Sequence, residues 1–219
     1  MHVTVVNVGD AEQLVRKVDF PAMQDGPLFR VMFPNKTITE EEQDEIINWY
    51  CDGLKEAIDR PEEHFLQIRD AKGSPLGFCG WTVVDHAEGE SVRYERRLGR
   101  KNNRHPTPKA LDLPSWTSIS NDLRMERRQR SGGLSRFCRL TFLSVCPEHQ
   151  RKGLGSELLR SACQEIDKLG LCAFVMASPS GVGLYGKFGF EAVGKVESPR
   201  GVLTSMIRSP SSDSIRNDK

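Results

Sequence analysis

One turn constrains the fold of this chain more than any other stretch of its sequence. It joins an apolar run, residues 140–145, to an amphipathic helix, and it carries glycines at positions 153 and 155 around a single leucine. A turn of this kind presents several backbone N–H groups at a helix N-terminus, where the helix dipole also favours negative charge. Arg151 and Lys152 add two positive charges at the same point. The segment therefore predicts a binding site for a phosphorylated ligand.

The composition argues against several functional classes. A net charge of +1 gives no overall attraction to nucleic acid or to an anionic membrane, and no stretch approaches the roughly 20 apolar residues that span a bilayer. The six cysteines are dispersed without a Cys-x-x-Cys pair, so neither a metal site nor a disulfide framework is predicted. Residues 1–6 lack the pattern of a secretory signal. We expect a cytoplasmic protein, with the nucleus as the alternative, and no membrane partner.

The hydrophobic periodicity predicts a mixed α/β domain. A capping-box pattern at Thr39 and Glu42 precedes apolar residues at helical spacing, which predicts a helix over residues 40–58. The continuous apolar run at 171–177 is typical of a central strand, and it should pair in parallel with the strand at 140–145. The other predicted elements are strands at 2–8, 65–69, 76–84, 190–196 and 202–207, helices at 10–18, 153–169 and 181–188, and irregular structure at 21–34.

The composition of the sequence changes over residues 86–136, which are rich in charged residues and poor in apolar ones. Charge runs of this kind are usually exposed, so a solvated connection is the first interpretation of this insertion. A lid or docking surface beside the active site is the second. A helix over residues 118–130 is expected within it. We expect one domain over residues 1–208, followed by a polar tail at 209–219.

A second motif follows the glycine turn by about thirty residues and places a tyrosine on a short helix before a strand. Residues 150–155 (Gln-x-x-Gly-x-Gly) and 184–190 (Leu-Tyr-x-x-x-Gly-Phe) together resemble the GCN5-related N-acetyltransferase (GNAT) superfamily. The amino-acid sequence at 147–153 and 177–181 is similar to that of a GNAT group common in filamentous fungi. The specific motifs cover about residues 139–193.

The resemblance implies the GNAT fold, a mixed and mostly antiparallel sheet with one splayed parallel strand pair and helices on both faces. It also implies acetyl-CoA as co-substrate, an amine acceptor and no metal. Backbone N–H groups would hold the pyrophosphate, and the pantetheine arm would lie beside the strand before the turn. The residues implied to bind the cofactor are Leu143, Ser144, Val145, Gln150, Arg151, Lys152, Gly153, Leu154, Gly155, Ser156, Ser178 and Tyr185.

Two catalytic roles are implied in the same way. The backbone N–H of Leu143 would polarise the thioester carbonyl, and Tyr185 would act as general acid towards the departing CoA thiolate. The alternative for Tyr185 is that its ring only packs under the pantetheine arm. The superfamily has no single position for the general base. Its candidates here are Glu63, His64, Asp85, His86, Glu95 and Asp122, each of which also suits an exposed role, whereas His149 is expected at the surface.

The leading functional hypothesis is direct acetyl transfer from acetyl-CoA to a small-molecule amine in a ternary complex. A protein lysine or an N-terminal amine is the alternative acceptor. A non-catalytic acyl-CoA-binding module is a different class that the same motifs allow. A nucleic-acid-associated protein using the arginine-rich insertion is a third, although the near-zero net charge and the acidic residues at 40–44 oppose it. The sequence does not predict an oligomeric state.

Overall fold

The central feature of the fold is a seven-stranded mixed sheet. The computed structural model describes residues 2–35, 37–85 and 106–211, and the elements given below belong to these residues. The strands are β1 (Val3–Val5), β2 (Glu63–Arg69), β3 (Pro75–Asp85), β4 (Arg136–Val145), β5 (Ala173–Ala177), β6 (Glu191–Ser198) and β7 (Gly201–Arg208). They lie in the order β1-β2-β3-β4-β5-β7-β6, and only β4 and β5 pair in parallel. The predicted mixed, mostly antiparallel sheet is confirmed.

Six helical segments accompany this sheet in the described residues, beside a 3₁₀ turn at Pro147–His149. The first, α1, covers residues 8–23 as consecutive 3₁₀, α, π and α turns (Val8–Asp10, Ala11–Leu14, Val15–Asp19 and Phe20–Met23). The others are α2 (Pro27–Met32), α3 (Glu40–Ile58), α4 (Leu113–Ser131), α5 (Leu154–Lys168) and α6 (Val182–Gly186). None of these helices combines the length and the apolar character that crossing a bilayer requires.

A local sequence signal correctly predicts the start of α3, whereas one prediction for the first forty residues is wrong. The capping box before α3 is formed, because Thr39 and Glu42 exchange hydrogen bonds between side chain and backbone. The expectation of irregular structure over residues 21–34 is wrong, since α1 reaches Met23 and α2 follows. Pro21 is the second residue of the α turn that ends α1, and Pro27 is the first residue of α2. At the first position of a helix, the N–H that proline lacks would have no partner within the helix.

Helices cover both faces of the sheet, as predicted. On one face α5 packs against β3 and β4, and four of its apolar side chains are fully buried: Leu158, Leu159, Ala162 and Ile166. On the other face α1 and α3 pack against β2 and β3, with Leu14, Val15, Ile46 and Phe78 among the fully buried side chains. We call these the α5 core and the α1 core. Alternate side chains of each strand enter one core or the other.

The charged insertion is only partly what the sequence predicts. Its first part, residues 86–105, lies outside the described residues. From residue 106 onward the chain belongs to the fold, because Leu111 and Ile119 are buried and the N–H of Asp112 donates to the carbonyl of Met32 on α2. Asp112 also caps α4 by accepting from the N–H of Ser115, so that helix begins five residues before the predicted position. A solvated connection is therefore wrong for the second part of the insertion.

The parallel pair is splayed. β4 and β5 pair only at two positions, Cys138 with Ala173 and Arg139 with Phe174, although both strands continue beyond them. A β-bulge in β4 follows at once, since Trp81 pairs with Leu140 while Gly80 pairs with Phe142, which leaves Thr141 as the extra residue. A bulge bends the strand that carries it. The bend coincides with the point where β4 and β5 part, and we call the gap between the diverging strand ends the cleft.

Glycine at position 80 is required by space beside this bulge. A Cβ atom there would lie 2.5 Å from Cε1 of Phe65 and 3.2 Å from Oγ1 of Thr141. We expect Gly80→Ala to lower the free energy of unfolding by about 1–3 kcal/mol through overpacking. In exposed Gly53 of α3 nothing lies within 4 Å of the added atom, so Gly53→Ala should raise stability by up to about 1 kcal/mol. Urea denaturation measures both, and equal stability of Gly80→Ala and the unmodified protein would contradict the packing described.

Candidate active site

The glycine turn has a backbone shape that its residues fix individually. After the 3₁₀ turn at Pro147–His149, Arg151 and Gly153 both adopt left-handed conformations, with φ of 62° and 87°. A left-handed residue other than glycine is uncommon and costs about 1 kcal/mol or more. The side chain of Gln150 closes the turn by donating from Nε2 to the carbonyl oxygen of Val145 at 3.1 Å. The predicted cofactor residue Gln150 thus ties the turn back to the end of β4.

The first turn of α5 offers unpaired backbone donors at this point. The N–H of Glu157 is the first to bond back to its helix, to the carbonyl of Gly153 at 3.0 Å. The N–H groups of residues 154–156 have no carbonyl within the helix to accept them, and the N-cap Gly153 has no side chain to do so. Arg151 and Lys152 are exposed beside them. The predicted anion-binding residues are therefore brought together at one helix N-terminus.

Three elements of the structure meet where the turn enters α5. A Cβ atom on Gly155 would lie 3.3 Å from Leu184 of α6 and 3.8 Å from Val145 at the end of β4. The start of α5, the end of β4 and the short helix α6 are thus in contact at the mouth of the cleft. Gly155 differs from Gly153, around which an added Cβ atom would meet nothing within 4 Å.

The open edge of β4 presents backbone groups to the cleft. The N–H of Cys146 donates to the carbonyl of Leu76 at 2.9 Å, and hydrogen-bonded positions alternate along an antiparallel pair. Leu143 and Val145 therefore direct their N–H and C=O groups away from β3, towards β5. Their side chains pack against the α5 core, whereas the side chain of Ser144 lies on the α1 side of the sheet. β4 thus has an α5 side and an α1 side at the cleft.

Tyr185 lies on the α5 side of this cleft. It is 7% exposed, its ring packs edge-on against Phe190 at 5.4 Å between centroids, and its phenol makes no hydrogen bond to a described residue. Burial raises the pKa of Tyr185 well above its usual value of 10, with smaller effects from Cys79 and Cys163. The phenol therefore keeps its proton at every physiological pH. Such a group can donate a proton and cannot serve as a resting base.

The hydroxyl groups of Ser178 and Ser180 lie between the end of β5 and the start of α6. Their oxygen atoms are 3.1 Å apart, which is a hydrogen bond in which either one can donate. Ser178 is half-buried and its carbonyl accepts the N–H groups of Gly181 and Val182, so it also begins the turn that leads into α6. The predicted cofactor residue Ser178 is thus placed at the cleft end of β5.

Most of the predicted general bases lie away from the open part of the cleft. Asp85 pairs with Arg136 at the closed end of the sheet, where β4 and β5 have not yet parted. His64 is exposed and stacks on the ring of Trp81 at 5.4 Å, and Asp122 is exposed on α4. Glu63 is buried at the start of β2. His86 and Glu95 fall outside the described residues.

A carboxylate that sequence reasoning missed does lie beside the cleft. Asp19, the last residue of the π turn in α1, is 4% exposed, and Ser144 donates to its Oδ1 from Oγ at 2.6 Å. Burial raises the pKa of Asp19 from 3.8 to about 6, and the hydrogen bond from Ser144 opposes that rise. Within residues 2–35, 37–85 and 106–211 it forms no ion pair. The sequence signal for it was slight: one acid between Val18 and Phe20, directly after the helix predicted at 10–18.

The turn also contains a group of potential metal ligands. Cys146, Glu148 and His149 place their ligand atoms within 4.8 Å of one another. Thiolate, carboxylate and imidazole are all ligands that zinc accepts. The side chain of Glu148 is exposed, and Cys146 and His149 are half-buried. These residues are able to hold a metal ion beside the anion-binding turn, which the cysteine spacing alone did not indicate.

Comparison with known proteins agrees with the fold described above. Residues 124–207, from the middle of α4 to the end of β7, match the family model of the acetyltransferase (GNAT) domain. Arylalkylamine N-acetyltransferase 2 from Aedes aegypti is similar over 96% of this chain and 99% of its own, with a TM-score of 0.67 and 10% identity. The chain has the GNAT fold. The predicted superfamily resemblance is confirmed at the level of the fold, and the family match over residues 124–207 supports the predicted enzyme class, an acyltransferase.

Two further solved structures share the GNAT fold over nearly their whole length. Drosophila melanogaster polyamine N-acetyltransferase, which forms N-acetylagmatine, covers 95% of this chain and 100% of its own at 14% identity, with a TM-score of 0.61. The PaiA N-acetyltransferase of Thermoplasma acidophilum, solved with coenzyme A, covers 95% and 99% at 15% identity, with a TM-score of 0.53. A sequence search of curated proteins finds no significant match.

The raised pKa of Asp19 predicts a stability that depends on pH. The folded state binds this proton more tightly than the unfolded state does, so its contribution to stability falls as pH rises from about 4 to about 6. The amide in Asp19→Asn cannot ionise. We expect the variant to match the unmodified protein near pH 4 and to exceed it by up to roughly 3 kcal/mol above pH 6.

A matched control is Glu126→Gln, which also removes a buried carboxylate bonded to a serine, Ser205 on β7 at 2.6 Å. Glu126 pairs with Arg130, and hydrogen bonds from Ser205 and Arg130 hold its pKa below the usual value despite burial. Its contribution is therefore present at neutral pH and lost as pH falls, so this variant should be less stable at pH 7. Urea titrations across pH measure both stabilities. If Asp19→Asn were less stable than the unmodified protein at pH 7, the claim that the charge of Asp19 is uncompensated would be refuted.

Proposed function

We propose that the protein transfers an acetyl group from acetyl-CoA to the primary amine of a small molecule, directly and in a ternary complex. The observation that carries this proposal is the convergence of the anion-binding turn, the open edge of β4 and Tyr185 on one cleft. The turn alone suits any phosphorylated ligand. The edge of β4 adds backbone donors for an amide-containing arm, and Tyr185 adds a proton donor next to that arm.

The described residues suit acetyl-CoA at each point along its length. The N–H groups of residues 151–156, with Arg151 and Lys152, would bind the pyrophosphate. The glycine at 155 leaves room for close approach of the backbone. The pantetheine arm would add to the edge at Leu143, Ser144 and Val145 as an extra strand. It would use the N–H and C=O of Leu143 and the N–H of Val145, since the C=O of Val145 already accepts from Gln150. The PaiA neighbour is known with coenzyme A bound.

The catalytic contributions follow from the same geometry. The N–H of Leu143 points into the cleft and would donate to the thioester oxygen as negative charge develops there, an effect worth roughly 3 kcal/mol. Tyr185 would transfer its proton to the departing sulfur as the carbon–sulfur bond breaks. The raised pKa of Tyr185 ensures that the proton is present when it is needed. No step requires a metal ion.

The α1 side of the cleft favours an amine with an apolar body. Four partly buried aromatic side chains pack against the α1 core: Trp49, Tyr50, Trp116 and Phe142. The rings of Trp49 and Trp116 meet edge-on at 5.5 Å between centroids. Two of the structural neighbours are named for arylalkylamines and polyamines. An arylalkylamine suits these rings better than a polyamine does, because aromatic side chains bind apolar surface.

Other parts of the sequence-based hypothesis remain open beside this proposal. A protein lysine or N-terminal amine is the alternative acceptor, and a non-catalytic acyl-CoA-binding module is the alternative class. The fungal-type resemblance, the single domain over residues 1–208 and the cytoplasmic location stay predictions. Thiol release from acetyl-CoA on adding members of an amine panel tests the proposal as a whole. Absence of acetyl-CoA binding by calorimetry would refute both the enzyme and the non-catalytic module.

Pyrophosphate binding at the turn is tested by adding a negative charge to it. Ser156 is the third residue of α5, where an aspartate interacts favourably with the helix dipole. We therefore expect Ser156→Asp to fold with unchanged or slightly higher stability. Its carboxylate would repel the pyrophosphate, so calorimetry should show an affinity for acetyl-CoA reduced at least about tenfold.

Gln164→Asp supplies the matched control, because it adds the same charge at an exposed position of the same helix, away from the turn. Its affinity for acetyl-CoA should stay within about twofold of the unmodified protein. Equal affinities of the two variants would mean that the pyrophosphate does not bind at this helix N-terminus.

The role of Tyr185 is tested by Tyr185→Phe, which keeps the ring that packs on Phe190 and removes the phenolic proton. Loss of a general acid costs about 100-fold or more in rate, so kcat should fall by that order while acetyl-CoA affinity stays within about twofold. An unchanged kcat would support the alternative, in which the ring only packs under the pantetheine arm. Stopped assays of thiol release give kcat, and calorimetry gives the affinity.

A further inference from the structure

Asp19 is a buried carboxylate without a positive partner. Burying a charge is costly unless it is paired, and buried carboxylates are usually bonded to arginine, lysine or several donors. In the described residues Asp19 accepts one hydrogen bond, from Ser144, and contacts no cation. Glu126 shows the usual arrangement in the same molecule, with both a serine hydroxyl and Arg130. A positive group that is not among the described residues would complete the surroundings of Asp19.

The position of Asp19 relative to the cleft says which group that would be. Its partner Ser144 lies between Leu143 and Val145, whose backbone groups face the proposed acetyl-CoA site. Ser144 and Asp19 lie on the α1 side of the sheet, and Tyr185 lies in the α5 core on the other side. A molecule bound at Asp19 would therefore approach the thioester from the face opposite to Tyr185. This is the face that the acceptor must use.

The local backbone supports a functional role for this carboxylate. Asp19 closes the π turn of α1, in which the N–H of Phe20 bonds to the carbonyl of Val15, five residues earlier. Single π turns are rare within α-helices and are frequently found at functional sites. The turn places an acid at a position where α1 faces β4, between the buried Val18 and Phe20. An apolar residue at this position would avoid the cost of burying a carboxylate, so packing alone does not explain an acid there.

The surroundings also limit what the cation can be. Tyr50 of α3 lies close enough for the charge of Asp19 to add to the effect of burial in raising the pKa of the phenol. The ring of Trp49 meets that of Tyr50 at 5.1 Å, and Phe142 is on the same side of β4 as Ser144. Of the other charged residues on the elements packed here, Arg16 of α1 already pairs with Glu12 and Asp44, and Asp85 of β3 lies at the far end of its strand. The site suits an ammonium group on an apolar or aromatic body.

We propose that Asp19, oriented by Ser144, binds the ammonium group of the acceptor amine and removes the proton that must leave before attack. This inference rests on the proposed acetyl transfer and supplies the base that the sequence left open. Asp19 touches the reacting nitrogen in this scheme, and Ser144 is a positioning residue. The preferred acceptor is a primary alkylamine that carries an aryl group.

The proton balance of the reaction assigns one step to each side of the cleft. The acceptor ammonium gives one proton to Asp19, and the free nitrogen then forms the bond to the thioester carbon. The carbon–sulfur bond breaks, and its electron pair leaves on sulfur, which takes the proton of Tyr185. The nitrogen loses a second proton, which returns Tyr185 to its neutral form. Asp19 releases its proton to solvent, so the net products are the amide, CoA thiol and one proton.

The first experiment compares Asp19→Asn with Glu126→Gln in steady-state kinetics with 2-phenylethylamine as acceptor. Asp19→Asn should lower kcat/KM for the amine about 100-fold or more and leave calorimetric affinity for acetyl-CoA within about twofold. Glu126→Gln removes the other buried carboxylate bonded to a serine and should leave kcat/KM within about threefold. An amine kcat/KM of Asp19→Asn equal to that of the unmodified protein would overturn the proposal.

A second acceptor separates charge recognition from a purely structural effect. Aniline is uncharged at neutral pH, whereas 2-phenylethylamine is an ammonium ion. Because Asp19 would act on the ammonium form, Asp19→Asn should lose at least about tenfold more kcat/KM with 2-phenylethylamine than with aniline. Equal losses with the two amines would mean that the substitution acts through the fold and would overturn the proposal.

Ser144→Ala gives a readout that a structural role would not move. The hydrogen bond from Ser144 lowers the pKa of Asp19, so its removal should shift the acidic limb of the profile of kcat/KM against pH towards higher pH. The unmodified limb is expected near pH 6. An unmoved limb in Ser144→Ala would overturn the assignment to Asp19. If the unmodified protein bound acetyl-CoA but acetylated no amine in the panel, the proposed function would fail first, and the stability profile of Asp19→Asn would still stand.

Discussion

The separation of β4 from β5 is the constraint on which the rest of the structure depends. Because the parallel strands β4 and β5 pair at only two positions, the N–H and C=O of Leu143 and the N–H of Val145 face the gap without a strand partner among the described residues. A buried polar group without a hydrogen bond costs about 1–3 kcal/mol, so this edge favours a ligand that carries amide groups of its own. The bulge at Thr141, the glycine turn and α6 are all placed around that opening. A regular sheet at this point would remove the site and keep the fold.

Environment gives the two ionisable groups of the cleft opposite uses. Burial raises the pKa of both Tyr185 and Asp19. A higher pKa keeps the phenol protonated. It also brings the pKa of the carboxylate closer to pH 7, where a general base is most effective. One physical cause therefore suits the two sides of the cleft for donating and for accepting a proton. Neither group needs a charged neighbour for this.

The elements that could be predicted from sequence were those with a complete local signal. The capping box starts α3, the glycine turn starts α5, and the continuous apolar run of β5 marks a central strand. The failures came where packing outweighed composition. Charged α4 was expected in solvent, yet Ile119 and Glu126 of this helix are buried, and Glu126 accepts a hydrogen bond from β7. Asp19 could not be found because its partner Ser144 is 125 residues away along the chain.

The two glycines of the turn are required for different physical reasons, one for its backbone conformation and the other for the space around it. Gly153 has open space around it but a left-handed backbone, whereas Gly155 lies in a regular helical turn with Leu184 against it. Asparagine, which tolerates the left-handed region, is thus a conceivable substitute at the first position and has no special merit at the second. Alanine fits the second if Leu184 moves by a few tenths of an ångström. Relatives of this chain with an altered turn should therefore differ in residue type according to which glycine has been replaced.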